Sequence, residues 1–160
     1  LNANTHTPGD SFLLGILGLS ESKLQIPTIT AVRTWIGLMN DIESGANFWK
    51  SDTPAEPTIA FRFSTAAGDS TWQCVVTDGT TQVVADSHVA IDSNVHTFGI
   101  GFTAPNCLFY IDGTLVGTVA ITTTTISVST NLSPAFTVDN VGAANNRSVN
   151  VANMYWDTTV

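Results

Sequence analysis

Apolar and polar positions alternate with a period of two along most of this chain. His96, Phe98, Ile100 and Phe102 fall on one side of a run whose other side is Thr97, Gly99, Gly101 and Thr103. Cys107, Phe109 and Ile111 oppose Leu108, Tyr110 and Asp112 in the same way. That period sends alternate side chains to opposite faces of a β-strand. Runs of strand length, rich in Val, Ile, Thr and aromatic residues, cover 12–19, 31–39, 58–64, 71–77, 81–85, 95–102, 107–111, 115–119, 135–138 and 149–156. No stretch has a convincing helical period.

Gly, Pro, Asn and Asp punctuate these runs at 66–69, 78–80 and 104–106, and Asp112-Gly113 does so inside CLFYIDGTLVGTV. Asp-Gly suits a two-residue hairpin turn, because Gly accepts positive φ and Asp tolerates it better than most residues. Between Ile59 and Val119 the connections are so short that sequence neighbours are predicted to pair antiparallel as a meander. One such sheet would leave a large apolar face wet, so a second sheet must cover it. The Thr-rich stretch 121–133 reads as a crossing loop or edge segment. The predicted architecture is an all-β, two-sheet antiparallel β-sandwich.

Composition narrows the function classes. At 160 residues the chain suits one domain. With 43% hydrophobic and 11% charged residues it has the makings of a packed globule. Five Lys plus Arg against thirteen Asp plus Glu give a net charge of −8, which argues against nucleic acid as a partner. The longest apolar run, 12–19, is too short to cross a bilayer and lacks the flanks of a signal peptide, so membrane insertion is not expected. Leu1 in place of an initiating Met reads as a processed or trimmed start. Cys74 and Cys107 lie in apolar strand-like runs without metal-binding spacing and read as two buried free thiols.

Four stretches carry a family likeness: 61–74, Thr77-Asp-Gly79, 92–98, and Phe109-Tyr-Ile-Asp-Gly-Thr-Leu-Val116. Together they resemble the concanavalin A-like, laminin G-like jelly-roll domains, most of all those of bacteriophage and bacterial surface proteins. The likeness covers about 59–119, with an echo at 149–156 that looks like the closing strand of such domains. It implies a jelly roll of the lectin and glucanase type filling residues 1–160 as a single domain. In those families the closing strand often pairs with a strand near the N-terminus. Here residues 1–10 are polar and short. The expected partner strand is therefore an upstream segment or an adjacent subunit, and the domain is expected to work within an oligomer or larger particle.

The jelly-roll glucanases use a Glu-x-Asp-x-x-Glu-like strand as nucleophile and general acid. Glu21, Glu43 and Glu56 are scattered, and Asp41-Ile-Glu43 is the nearest approach to that motif. Ser87-His88 and His96 come without a nucleophile elbow. His96 reads as a half-buried structural histidine, and Asp112 as a turn former and not a calcium ligand. No catalytic residue, metal or cofactor is expected. Trp49, in Asn47-Phe-Trp-Lys50 beside Asp52 and Pro54, could stack on a sugar or anchor a protein. The residues expected to touch a ligand or partner are Asn47, Trp49, Asp52 and His88. The primary expectation is a non-enzymatic structural or decoration module on a virion or cell surface, assembling through contacts with other subunits. The alternative is a glycan-binding adhesin or receptor-binding module. Either would act outside the cell or on a virion surface.

Overall fold

A computed structural model describes residues 12–13, 19–40, 50–103, 105–121, 126, 131–142 and 146–157. The described residues form eleven strands: β1 (Phe12–Leu13), β2 (Leu19–Gln25), β3 (Val32–Met39), β4 (Pro57–Ser64), β5 (Thr71–Asp78), β6 (Gln82–Ala90), β7 (Val95–Thr103), β8 (Asn106–Ile111), β9 (Thr114–Ala120), β10 (Asn131–Asn140) and β11 (Asn150–Asp157). They build two antiparallel sheets. The front sheet has the order β1-β10-β3-β4-β5-β6 and the back sheet β11-β2-β7-β8-β9.

The inward faces meet through the residues that the alternation marked as core. Phe61 of β4 packs edge-on against Phe98 and Phe109 of the back sheet, with ring centroids 5.1 and 5.2 Å apart. Trp72 lies 4.6 Å from Phe98 in the same manner. Ile36, Leu38, Ile59, Val76, Ile100 and Ile111 complete the contact. Each such buried side chain contributes about 1.5–3 kcal/mol. Cys74 and Cys107 are buried here and unbonded, and burial, with the Asp86 charge adding to it, pushes the Cys74 thiol up to about 12.

Three expectations are corrected. The meander is split: β4-β5-β6 and β7-β8-β9 are separate runs in different sheets, and the chain crosses between β6 and β7. That crossing is what sets Phe61 against Phe98. Secondly, β2 is a strand, although its sequence LSESKLQ is largely polar. It lies between β11 and β7, so the closing strand finds its partner inside this chain. This removes the reason for seeking that partner upstream or on another subunit. Thirdly, β6 runs past the expected 81–85 to Ala90 and includes His88, which holds a φ of +57° within the strand. β10, too, extends from 131, taking in the end of the stretch expected to be a crossing loop or edge segment, while 122–125 and 127–130 lie outside the described residues.

The Asp112-Gly113 turn forms as the pattern predicts, with φ of +52° and +77°. Asp112 does more than turn the chain. Its Oδ1 accepts a bond from the Thr97 N–H at 2.8 Å, and its Oδ2 lies 2.6 Å from His96 Nδ1. The other ring nitrogen of His96 lies 2.9 Å from Asp92 Oδ1. Burial alone would push the His96 pKa down, but the bonds to Asp112 and Asp92 and their charges hold it above the ordinary value. Burial likewise opposes Asp112, whose bonds to Thr97 and His96 keep it low, and the Asn94 N–H does the same for Asp92.

A pH profile follows. The carboxylates contribute above an unfolded pKa of about 4 and are lost as pH falls through their lower folded values. His96 contributes fully below about 6.5 and is lost as pH rises through its raised folded value. All three contribute together between about pH 4 and 6.5, so the melting temperature is expected to peak there and decline toward pH 8. In His96→Gln the decline above about pH 6.5 should flatten. A variant that keeps the wild-type slope would assign the decline to other groups. Asp112→Ala should lose more than the ~1 kcal/mol of an ordinary turn substitution, because it also strips His96 of a charged partner.

Candidate functional site

Strands β3 and β4 are buried along almost their whole length, so the front sheet is covered on its outward face as well as its inward one. Alternation sends Arg33, Trp35 and Met39 of β3 outward, together with Thr58, Ala60, Arg62 and Ser64 of β4. Trp35, Met39, Ala60, Val75 and Ala135 form a second apolar cluster on that side.

Segment 50–56 is fastened to this face by two arginines. Arg33 Nε donates to Asp52 Oδ1 at 2.6 Å, its Nη2 to Asp52 Oδ2 at 3.2 Å, and its Nη1 to Asp139 Oδ2 at 3.0 Å and to the Lys50 carbonyl. Arg62 Nη1 donates to the Asp52 carbonyl at 2.9 Å, while Nε and Nη2 form a fork on Asp69 at 3.0 and 3.1 Å. Burial would raise the Asp52 pKa, but hydrogen bonds to Arg33 and Ser64 and the charges of Arg33 and Arg62 keep it below the usual carboxylate range. The Arg62 guanidinium stands 5.8 Å over the Trp35 ring, within reach of a cation–π attraction.

Toward β6 the same face opens. Thr71 Oγ1 donates to Asp86 Oδ1 at 2.6 Å, and the His88 N–H to the same oxygen at 2.7 Å. Gln73 Nε2 donates to the Thr71 carbonyl and hydroxyl at 3.1 and 2.9 Å. These bonds, Thr71 first and the His88 N–H next, hold the Asp86 carboxyl low. The His88 side chain is 85% exposed and lies 3.6 Å from Asp86 Oδ2.

Register joins the two ends. Thr137 pairs with Trp35, Trp35 with Arg62, Arg62 with Gln73, and Gln73 with Asp86. These side chains form one row across five strands, about 19 Å long at the usual strand spacing. The row runs from the half-buried Thr137 through the buried Trp35 and Arg62 to the half-exposed Asp86. Its members alternate between charge, amide, hydroxyl and indole, which is the chemistry that reads a polyhydroxylated molecule.

Of the residues expected to touch a ligand, Asp52 lies on this face but is held by Arg33 and Arg62. His88 stands beside Asp86 at its open edge. Asn47 and Trp49 lie outside the described residues. The row itself escapes the sequence pattern, which singles out none of Trp35, Arg62, Gln73, Asp86 and Thr137. The available signal was a polar residue at an outward position in three of the runs, at Arg62, Gln73 and Thr137, with Asp86 one position past a fourth. Among the described residues, no three His, Cys, Asp or Glu side chains are grouped to hold a metal ion, and no helix is long and apolar enough to cross a membrane.

No protein-family model matches this sequence, and no curated protein sequence matches it. Solved structures do resemble it. A glycoside hydrolase family protein from Mycobacterium thermorestibile superposes with a TM-score of 0.59 at 15% identity, over 87% of this chain and 61% of the hydrolase. A carbohydrate-binding module of Bacillus subtilis gives 0.55 at 14%, over 93% of this chain and 78% of the module. A galectin of Caenorhabditis elegans gives 0.55 at 11%, over 95% and 99%. This chain thus spans less than two thirds of the hydrolase's length.

These neighbours correct two expectations. Sugar-binding and sugar-cleaving proteins surround the chain in structure, which overturns the reading as a virion or cell-surface decoration module. The expectation that it is not an enzyme is overturned as well, because glucanases and a transglycosylase are among these neighbours. The two antiparallel sheets and these superpositions identify the fold: the chain is a concanavalin A-like jelly roll.

Proposed function

We propose that this protein binds a glycan at the open, β6 end of the outward face of its front sheet. The observation that carries the reading is that end itself: Gln73 and Asp86 stand opposite one another in register and partly exposed, with Thr71 and His88 against Asp86. Asp86 is a charged acceptor at neutral pH, suited to sugar hydroxyls, and Gln73 beside it offers an amide. The lectin and carbohydrate-binding neighbours support the same reading. Action outside the cell belongs to this proposal, in keeping with the few Lys and many Thr, Ser and Asn of the chain.

The test is retention on immobilised polysaccharides. Wild type should bind at least one of them, and Gln73→Ala and Asp86→Ala should each weaken that binding about tenfold, the effect of a hydrogen bond to a charged or well-placed polar group. Both positions are partly exposed, so melting temperatures should stay within a few degrees. Failure to retain any polysaccharide, or variants that bind like wild type, would refute the proposal. Reducing ends released from a retained polysaccharide would mark cleavage on the same face.

A further inference from the structure

We propose that the open end of this face carries its own pH control: in acid the His88 ring caps the Asp86 oxygen that a ligand hydroxyl must use, and binding weakens. The proposal rests on the glycan-binding reading above and adds the regulation of that same site.

The two oxygens of Asp86 are not equivalent. Oδ1 accepts from the Thr71 hydroxyl at 2.6 Å and from the His88 N–H at 2.7 Å, which fills its lone-pair directions. Oδ2 accepts no hydrogen bond among the described residues and is the oxygen left to a ligand. Its neighbour is His88 Nδ1 at 3.6 Å, beyond hydrogen-bonding length.

The backbone keeps that ring in place. Between the paired positions Gln73–Asp86 and Thr71–Ala90, β5 inserts Trp72 alone, whereas β6 inserts Ser87, His88 and Val89. Strand β6 therefore bulges, with His88 at a φ of +57°. The His88 N–H bond to Asp86 and the Val89 N–H bond to Ser87 Oγ pin the bulge on both sides of the histidine. A residue tethered by its own N–H to this carboxylate needs only a side-chain rotation to bring Nδ1 onto Oδ2.

Charge decides whether it does so. A neutral imidazole donates from one nitrogen, while an imidazolium donates from both and is drawn to a carboxylate. Histidine is the side chain that passes between these forms from pH 8 to pH 5. Its surroundings do not change charge with it. Asp86 stays ionised, because the Thr71 hydroxyl and the His88 N–H hold its pKa low. Strand β9, which packs beside β6, has no charged residue. Strand β5 brings Cys74, pushed up to about 12 by burial and the Asp86 charge, and, at the far end of its ladder with β6, Asp78, kept low by the Thr81 and Thr80 N–H groups. Arg62, next to Gln73 in the row, is forked onto Asp69.

The test measures affinity for a retained polysaccharide at about pH 5 and about pH 8, at constant ionic strength. Wild type should bind about threefold more tightly at the higher pH, the size of an exposed ion pair. That ratio should shrink toward one at about 0.5 M salt. Asn cannot take the charge and tolerates positive φ, so in His88→Asn the ratio should fall close to one; His88→Gly makes the same comparison should the first variant not fold. His96→Gln should keep the wild-type ratio, which separates this control from the pH dependence of stability. Equal binding at the two pH values, tighter binding in acid, a threefold ratio surviving in His88→Asn, or its loss in His96→Gln would each overturn the proposal. Retention without pH dependence refutes the control alone, whereas a wild type that retains no polysaccharide at either pH removes the glycan-binding reading and the control together.

Discussion

Gly37→Ala is expected to leave little folded protein. Gly37 sits in the middle of β3 with a φ of +154°. A Cβ built there would lie 2.5 Å from the Ile59 carbonyl oxygen, 2.7 Å from Ala60 Cα and 2.8 Å from Ile100 Cδ1. The first two are backbone atoms of the paired strand β4 and cannot step aside without breaking the ladder. The third reaches across from the back sheet, so the clash also wedges the sandwich. Overpacking of this kind against fixed backbone belongs to the severe class, about 4 kcal/mol or more, against a typical total stability of about 5–15 kcal/mol. Gly113→Ala is the control. Gly113 also has positive φ, +77°, but open space where its Cβ would stand, so its loss should be only about 1 kcal/mol. Soluble yield and urea midpoints of the two variants give the comparison. A Gly37→Ala protein melting within a few degrees of wild type would mean that β3 and β4 separate more easily than the geometry implies.

Asp69→Ala should cost about 3 kcal/mol or more, because it strands a buried cation. The Arg62 and Asp69 side chains are both 8% exposed, so water neither screens the pair nor replaces the missing partner. Asp69 also accepts the Ser64 N–H at 2.9 Å, which ties the 65–69 turn to the end of β4. Asp69→Asn keeps an acceptor for that N–H and should lose less. Joint replacement, Arg62→Met with Asp69→Leu, removes both charges and should recover much of the stability. Urea unfolding resolves the three cases, and a loss below about 1 kcal/mol in Asp69→Ala would show that the guanidinium finds other partners.

Local chemistry made part of this protein readable in advance. The Asp112-Gly113 turn, the alternation in β7 and β8 and the inward set of Phe61, Phe98 and Phe109 all follow from residues within a few positions of one another. Strand β2 escaped because most of its side chains are polar; it is a strand through the ladders that β11 and β7 offer on its two sides. The crossing between β6 and β7 escaped because a period of two is the same whichever sheet a strand joins. His96 was legible as half-buried, but its two carboxylates were not, since Asp92 and Asp112 arrive from separate loops.

What the sequence by itself determined is therefore the class of structure: strand-length runs, their faces, their turns, and the need for two sheets to bury two apolar faces. What only the tertiary structure decided is which outward side chains stand together. Thr137 and Trp35 are far apart along the chain, and Trp35, Arg62, Gln73 and Asp86 come from four different strands. Hydrogen-bond register across the front sheet brings them into one row. Register depends on how whole strands pair, and a shift of one residue would turn every one of these side chains to the opposite face.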